Sequence, residues 1–263
     1  MARAPRRPRT SPWPWAVAGA VLGAVYAFIA FAPARWLAAA VDRATAGQVQ
    51  LAEPRGTVWD GSARLVLTGG RGSTDAAALP GRLAWRLQAR WDGAVAQLRA
   101  ECCTPRPVDL RARWRIAGWQ LQVADTVSEW PATVLAGLGT PWNTLQLDGE
   151  VRLSTQGLSV EWVEGRPRIA GRADLEALRV ASRLSTLRPM GSYRITLQGG
   201  TQATLRLATL EGSLQLSGSG QWVGQRLRFR GEASAVPGSE SALANLLNII
   251  GRRTGERSLI SIG

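Results

Sequence analysis

The chain contains no histidine and no lysine; all 32 of its basic residues are arginine. Without histidine, Ser/His and Cys/His nucleophilic sites are excluded, and so are most zinc and iron sites. Cysteine is reduced to a single feature, the neighbouring pair Cys102 and Cys103. Acidic residues number 19, which leaves a net charge of +13 and a sequence pI near 11.5. So basic a chain raises the question of nucleic acid or an anionic membrane as partner. No run of five or more basic residues occurs, however, and the arginines outside the N-terminal tail are spread along strand-like segments. A solvated or lipid-facing cationic surface is the expected reading, with no nucleic-acid partner. Phosphate loops are missing too: Gly69-Gly70-Arg71-Gly72 has neither the strand-loop-helix frame nor the lysine, and reads as an ordinary loop. Glu161 and Glu164 fall on a strand-like segment as surface charges. No catalytic residue, cofactor site, metal site or small-molecule substrate emerges, and no enzymatic activity is expected.

What is present begins with one long uncharged segment. Trp15 to Phe31 carries no charge, and with Trp13, Pro14 and Ala32 it approaches about 20 residues. At about 1.5 Å per residue that spans a hydrocarbon core of ~30 Å. Trp13, Trp15 and Trp36 lie near its two ends, where indoles prefer the interface. Trp15, Tyr26, Phe28 and Phe31 are the candidate anchor residues. Arg3, Arg6, Arg7 and Arg9 precede the segment, and the first acid is Asp42. The positive-inside rule therefore predicts a cytosolic N-terminus, with everything after Arg35 outside. A cleaved signal peptide is the rival, since Ala30-Phe31-Ala32 resembles a cleavage site. Pro33 just after the cut, and the length of the run, argue for a retained anchor. Both readings export the domain. The expected organisation is a basic cytosolic tail over 1–14, a transmembrane helix over 15–32, a juxtamembrane stalk over 33–50 and a β-rich exported domain over 51–263. Within the stalk, Ala34 to Thr45 predicts an amphipathic helix on the outer membrane surface, with Trp36, Leu37 and Val41 on one side.

Beyond Gln50 the apolar period becomes two. Leu83, Trp85, Leu87, Ala89 and Trp91 alternate with Arg82, Arg86, Gln88 and Arg90. Ala112, Trp114 and Ile116 alternate with arginines, and Trp119, Leu121 and Val123 with glutamines. The pattern returns at Leu145/Leu147, Val151/Leu153, Leu158/Val160/Trp162, Ile195/Leu197, Leu205/Leu207, Leu214/Leu216 and Leu227/Phe229. Such alternation predicts half-buried antiparallel strands. Asp148-Gly149, Gln156-Gly157, Gly199-Gly200 and Gly224-Gln225 read as turns. The predicted fold is mainly β: a large curved antiparallel sheet whose apolar face is covered by helices, closed on itself, or used. Two short helices are candidates for cover. One spans Ser128 to Leu138, with Pro131 in its first turn. The other spans Ser239 to Ile250, with Leu243, Leu246, Leu247 and Ile250 on one face, Ser239 as cap and Gly251 as stop. Arg257 to Ile262 reads as a last strand. Trp142 is expected to pack the helix ending near Leu138 onto the next strand. Cys102 and Cys103 can close a ring with each other or bridge two chains in an oxidising compartment. The first choice makes a loop constraint before Pro105 and Pro107; a redox switch is the further alternative.

Four segments carry a resemblance. They are the N-terminal anchor, Gly56-Thr57-Val58-Trp59-Asp60-Gly61-Ser62-Ala63, Pro141-Trp142-Asn143-Thr144-Leu145, and a fourth from Leu184-Ser185-Thr186-Leu187-Arg188-Pro189-Met190-Gly191-Ser192-Tyr193 to the C-terminal Leu246–Arg253 and Ser258–Gly263 stretches. In these the chain resembles the type II secretion system protein N family. The resemblance implies a non-catalytic inner-membrane accessory subunit of the machine that moves folded proteins across the outer membrane. It implies as partners other inner-membrane subunits, including protein C and the platform proteins. The build is also similar to AsmA-like envelope proteins, which pair an anchor with a curved sheet thought to guide lipid. That similarity implies the alternative function, a lipid-binding groove on the apolar sheet face.

Overall fold

In the computed structural model, which describes residues 13–115, 118–163, 166–224 and 226–263, every described strand joins one sheet. The tail residues Arg3, Arg6, Arg7 and Arg9, and Ile116, Glu164 and Gln225, lie outside the described residues. The chain opens with α1 (Trp13–Ala30) and α2 (Ala34–Ala44). Strands β1 (Val49–Gly56), β2 (Asp60–Thr68), β3 (Ala76–Ala78), β4 (Leu83–Arg90), β5 (Gly93–Ala100), β6 (Val108–Arg115), β7 (Gly118–Val123) and β8 (Thr126–Pro131) follow. A 3-10 helix (Ala132–Leu138) and the single turn α3 (Trp142–Leu145) interrupt them. Then come β9 (Asp148–Val163), β10 (Arg166–Ala181), β11 (Gly191–Gln198), β12 (Thr204–Gly212), β13 (Leu214–Val223) and β14 (Arg226–Ala235). The chain finishes with α4 (Glu240–Ile250), β15 (Arg252–Thr254) and β16 (Arg257–Ile262).

The order across the sheet is β1-β2-β4-β5-β6-β7-β9-β10-β11-β12-β13-β14-β16-β15, with β3 on β2 and β8 on β9. All pairings are antiparallel, as sequential hairpins require. The sheet is open: β1 and β15 do not pair with each other. The predicted mainly-β fold with few short helices is what is found.

The helices cover the apolar face in three places. Leu37, Ala38 and Val41 of α2 pack on Leu51, Ala63 and Trp85. The 3-10 helix brings Val134 against Leu79, Ala100 and Cys103. Leu243, Leu246 and Leu247 of α4 seal the largest cluster, with Met190, Tyr193, Leu214 and Ala233. Burying three leucines at the i, i+3, i+4 spacing is what holds α4 on the sheet.

Several local expectations are corrected. Ser128 to Leu138 is not one helix: Thr126–Pro131 forms β8, paired with the lower half of β9, and only Ala132–Leu138 coils. The lower half of β9 offers free ladder partners, and pairing there buries Ser128 with the Trp130 indole donating to its Oγ at 2.8 Å. Asp148-Gly149 is not a hairpin turn but the start of β9, because Leu145 lies in α3 and Leu147 packs into the large core instead of pairing as a strand. Gln156-Gly157 is likewise inside β9. Gly157 (φ +56°) sits opposite Gly171 (φ +83°) where the β9–β10 register shifts, and its N–H donates to Asp125 Oδ1 at 2.6 Å. These glycines make bulges, which bend a long strand without ending it. Ser239 lends α4 its carbonyl, to the Leu243 amide, but no side-chain cap. Trp142 stays exposed, and Leu145 takes the buried position of that turn. Trp36 leaves the Leu37/Val41 face and meets Phe28 of α1, ring centroids 4.8 Å apart.

Candidate membrane junction, disulfide turn and sheet edges

α1 has 18 residues, is apolar and long enough to cross a membrane, and none of its residues is buried. The candidate anchor residues Trp15 (82%), Tyr26 (74%), Phe28 (64%) and Phe31 (76%) all stand exposed. A helix this apolar and this uncovered needs a lipid or protein environment. Its C-terminal end is tied to the sheet by the β1–β2 turn. The Trp59 indole donates from Nε1 to the Ile29 carbonyl at 2.7 Å, and the Val58 amide donates to the Ala32 carbonyl at 2.8 Å. Pro33 and Thr57 form an isolated bridge between them. The last carbonyls of a helix have no partner inside it, so the Trp59 indole, at Ile29 in the last turn of α1, fills a need as well as making a joint.

The turn itself is braced from beneath. Trp85 is buried, and its Nε1–H is shared between the carbonyls of Thr57 (3.2 Å) and Val58 (3.1 Å). The Thr57 amide donates to the Asp60 carbonyl at 2.8 Å, and the Asp60 amide donates back to Thr57 Oγ1 at 3.0 Å. Gly61 lies so close that an added Cβ would meet the Trp85 ring and two carbonyls at 2.7 Å. The Gly56–Ala63 segment is thus a clamp between α1 and the sheet. Sequence reasoning marked this segment only for its resemblance. A tryptophan between glycines beside the exit of an apolar helix was the available signal.

Cys102 and Cys103 are joined to each other by a disulfide in the turn after β5, with Cα atoms 3.7 Å apart. Cys103 is buried beside Leu79, Ala100 and Val134, whereas Cys102 faces solvent. The turn is hydrogen-bonded on both sides. Thr104 Oγ1 accepts from the Ala100 amide at 2.8 Å, and the Cys103 carbonyl accepts from the Glu129 amide at 2.8 Å.

The sheet edges differ from a bare template for strand addition. β1 carries Pro54 and a register shift between Ala52 and Arg55, leaving Val49–Ala52 as its regular stretch. β15 is three residues long and begins with two exposed arginines.

Charge is arranged in local pairs on the sheet. Arg172 grips Asp174 through Nε (2.6 Å) and a terminal nitrogen (2.9 Å), while Thr196 donates to the same carboxylate. The Arg172 hydrogen bond holds the Asp174 carboxyl below its ordinary value, against the opposing effect of burial. Burial raises the Tyr193 phenol, whose hydroxyl is enclosed without a hydrogen-bond partner among the described residues. Glu161 stands in register with Arg168 and Gln120. Among the described residues no cluster of three or more His, Cys, Asp or Glu could hold a metal.

At one end of the sheet, aromatic residues gather. Trp114 is the register partner of Trp119, and Trp119 that of Trp162. The rings of Trp119 and Trp162 stack 3.9 Å apart at 9°. A shallow depression of about 230 Å3 lies between Gly93, Ala94, Ala112, Arg113, Trp114 and Trp119.

An uncovered apolar helix clamped to the end of a wide open antiparallel sheet defines a class of tethered, sheet-based proteins. A family model described as type II secretion system protein N matches residues 47–259, most of the chain, and the chain belongs to that family. Comparison with curated proteins found no match, and neither did comparison with solved structures.

Proposed function

We propose that this protein is a non-catalytic inner-membrane accessory component that supports assembly and stability of the type II secretion machine. Family membership makes it a component of that system and implies interaction with its other members. In this reading α1 crosses the inner membrane with the basic tail in the cytosol, and the sheet stands in the periplasm. The observation that carries it is the clamp. Trp59 and Val58 fix the uncovered α1 to the sheet, so a subunit bound in the membrane and one bound to the sheet are held in register. The inner-membrane partners are protein C and the platform proteins, met through α1, α2 and the regular part of the β1 edge. The Cys102–Cys103 ring acts as a brace of its turn, suited to an oxidising compartment.

The lipid-groove alternative needs a continuous uncovered apolar face. α2, the 3-10 helix and α4 each cover part of that face, which favours the assembly role.

The test is secretion of a folded exoprotein from cells that lack this chain, complemented either with the full chain or with residues 33–263, which keep α2 on the sheet, behind a cleavable signal. The full chain restores export and the levels of the platform subunits, and the unanchored domain does not. Equal rescue by both removes the tether from the mechanism.

A further inference from the structure

The antiparallel register fixes which end of the sheet lies nearest α1. Asp60 pairs with Arg86, and the Leu87 amide donates to the Trp59 carbonyl, so the β1–β2 turn lies beside the C-terminal half of β4. That is the end at which β4 turns into β5, β6 connects to β7, and β9 connects to β10. Leu87 is level with Ala96 and Leu110, and Trp114 lies four residues further along β6. Counted along β6 at 3.3 Å per residue, the tryptophan row lies about 13 Å beyond the level of Leu87, toward the same end of the sheet as the turn that holds α1. The ends of β4, β6 and β9 therefore lie at the end of the sheet to which α1 is attached. They are also close to α1 sideways, within a few strand spacings of about 4.8 Å each.

The chemistry of the tips fits that position. Trp91 is 96% exposed and Trp114 74%, with Trp119 stacked on Trp162 beside them. Isolated exposed apolar residues are ordinary, but a cross-strand row of indoles is not. Arg90, Arg113 and Arg115 alternate with these residues along the chain, so they stand on the opposite face of the same strand ends, and are exposed. Arg113 faces Asp92 at 3.7 Å and a terminal nitrogen of Arg115 donates to Gln120 Oε1 at 2.9 Å, whereas neither Arg90 nor Arg115 makes an ion pair among the described residues. Indole rings concentrate at the headgroup level of membranes, and the planar guanidinium matches phosphate in a bidentate way.

We propose that the end of the sheet formed by the C-terminal residues of β4 and β6 and the start of β7 docks on the phospholipid headgroup layer of the membrane that α1 crosses, Trp91, Trp114 and Trp119 entering the interface and Arg90 and Arg115 binding lipid phosphate. The inference rests on the reading of α1 as a span. It gives the protein a second, peripheral membrane contact several strands away from the first. Two contacts fix the tilt of the sheet, where one helix alone would leave it free to swivel.

The full chain, its disulfide kept intact, is tested in vesicles of phosphatidylcholine and phosphatidylglycerol. An environment-sensitive fluorophore is attached through Trp114→Cys or through Gln215→Cys. Gln215 is exposed at the opposite end of β13, away from α1. Both positions are exposed, so neither label threatens the fold. Nitroxide carried on lipid headgroups is expected to quench the probe at 114 several-fold more than that at 215, while iodide in the water quenches 215 more. Equal behaviour of the two probes overturns tip docking, and so does a probe at 114 shielded from iodide yet untouched by lipid nitroxide, which points to a protein partner instead. Release of the unlabelled chain from the vesicles by alkaline carbonate overturns the span, and the docking with it. Retention together with a water-exposed 114 overturns the docking alone.

Discussion

Trp59 is where a single hydrogen bond has reach. Its indole donates to the Ile29 carbonyl, joining α1 to a turn 30 residues away. Trp59→Phe keeps the ring and removes the donor. The loss is about 1 kcal/mol of local stability, read as roughly five-fold faster hydrogen exchange at the Val58 amide. Unchanged exchange there would mean that the clamp is held by the backbone alone. Tyr193 offers the opposite case. Its enclosed hydroxyl has no partner among the described residues, so Tyr193→Phe is expected to raise the unfolding free energy by about 1 kcal/mol, read as a higher midpoint in denaturant titration. Asp174 sets a pH dependence. Its carboxyl is held below the ordinary value by Arg172, so its contribution is present above the unfolded carboxylate value of about 3.9 and is lost as pH falls through the folded value. The stability gap between the wild type and Asp174→Asn is therefore full at pH 7 and narrows toward pH 3. A gap independent of pH would contradict the role assigned to the Arg172 pair.

At the scale of elements, α4 is the cover that matters most. Leu246 is 1% exposed within the largest core cluster. Leu246→Ala should cost about 2–5 kcal/mol, measured by denaturant unfolding of the detergent-solubilised chain. The same scale shows what the sequence makes legible and what it hides. Alternation over Leu83–Trp91 and Leu227–Phe229 announces strands, because one buried face imposes a period of two wherever the partner lies. The leucine spacing of α4 is equally local. Glycine is ambiguous by contrast. Gly157 and Gly149 look like turn residues, yet each sits in a bulge set by β10, whose partner positions are 14 or more residues away. Ser128–Pro131 was hidden for the same reason: only the free lower half of β9 decides between strand and helix there. The clamp escaped because hydrogen bonds from Trp59 to Ile29 leave no periodic trace. The tryptophan row needed the β6–β7–β9 register before its members became neighbours.

For the whole molecule, an open sheet is hydrogen-bonded to an uncovered apolar helix. The family places that device in the type II secretion system. The measurement that tests the central claim most directly is affinity purification of the tagged full chain from membranes in mild detergent, with mass spectrometry of both proteins and bound lipid. Other inner-membrane secretion subunits are predicted at near-stoichiometric levels, with no lipid beyond that of a detergent-matched control membrane protein. Stoichiometric lipid with no secretion subunit would contradict the assembly role and return the apolar face of the sheet to a lipid-carrying function.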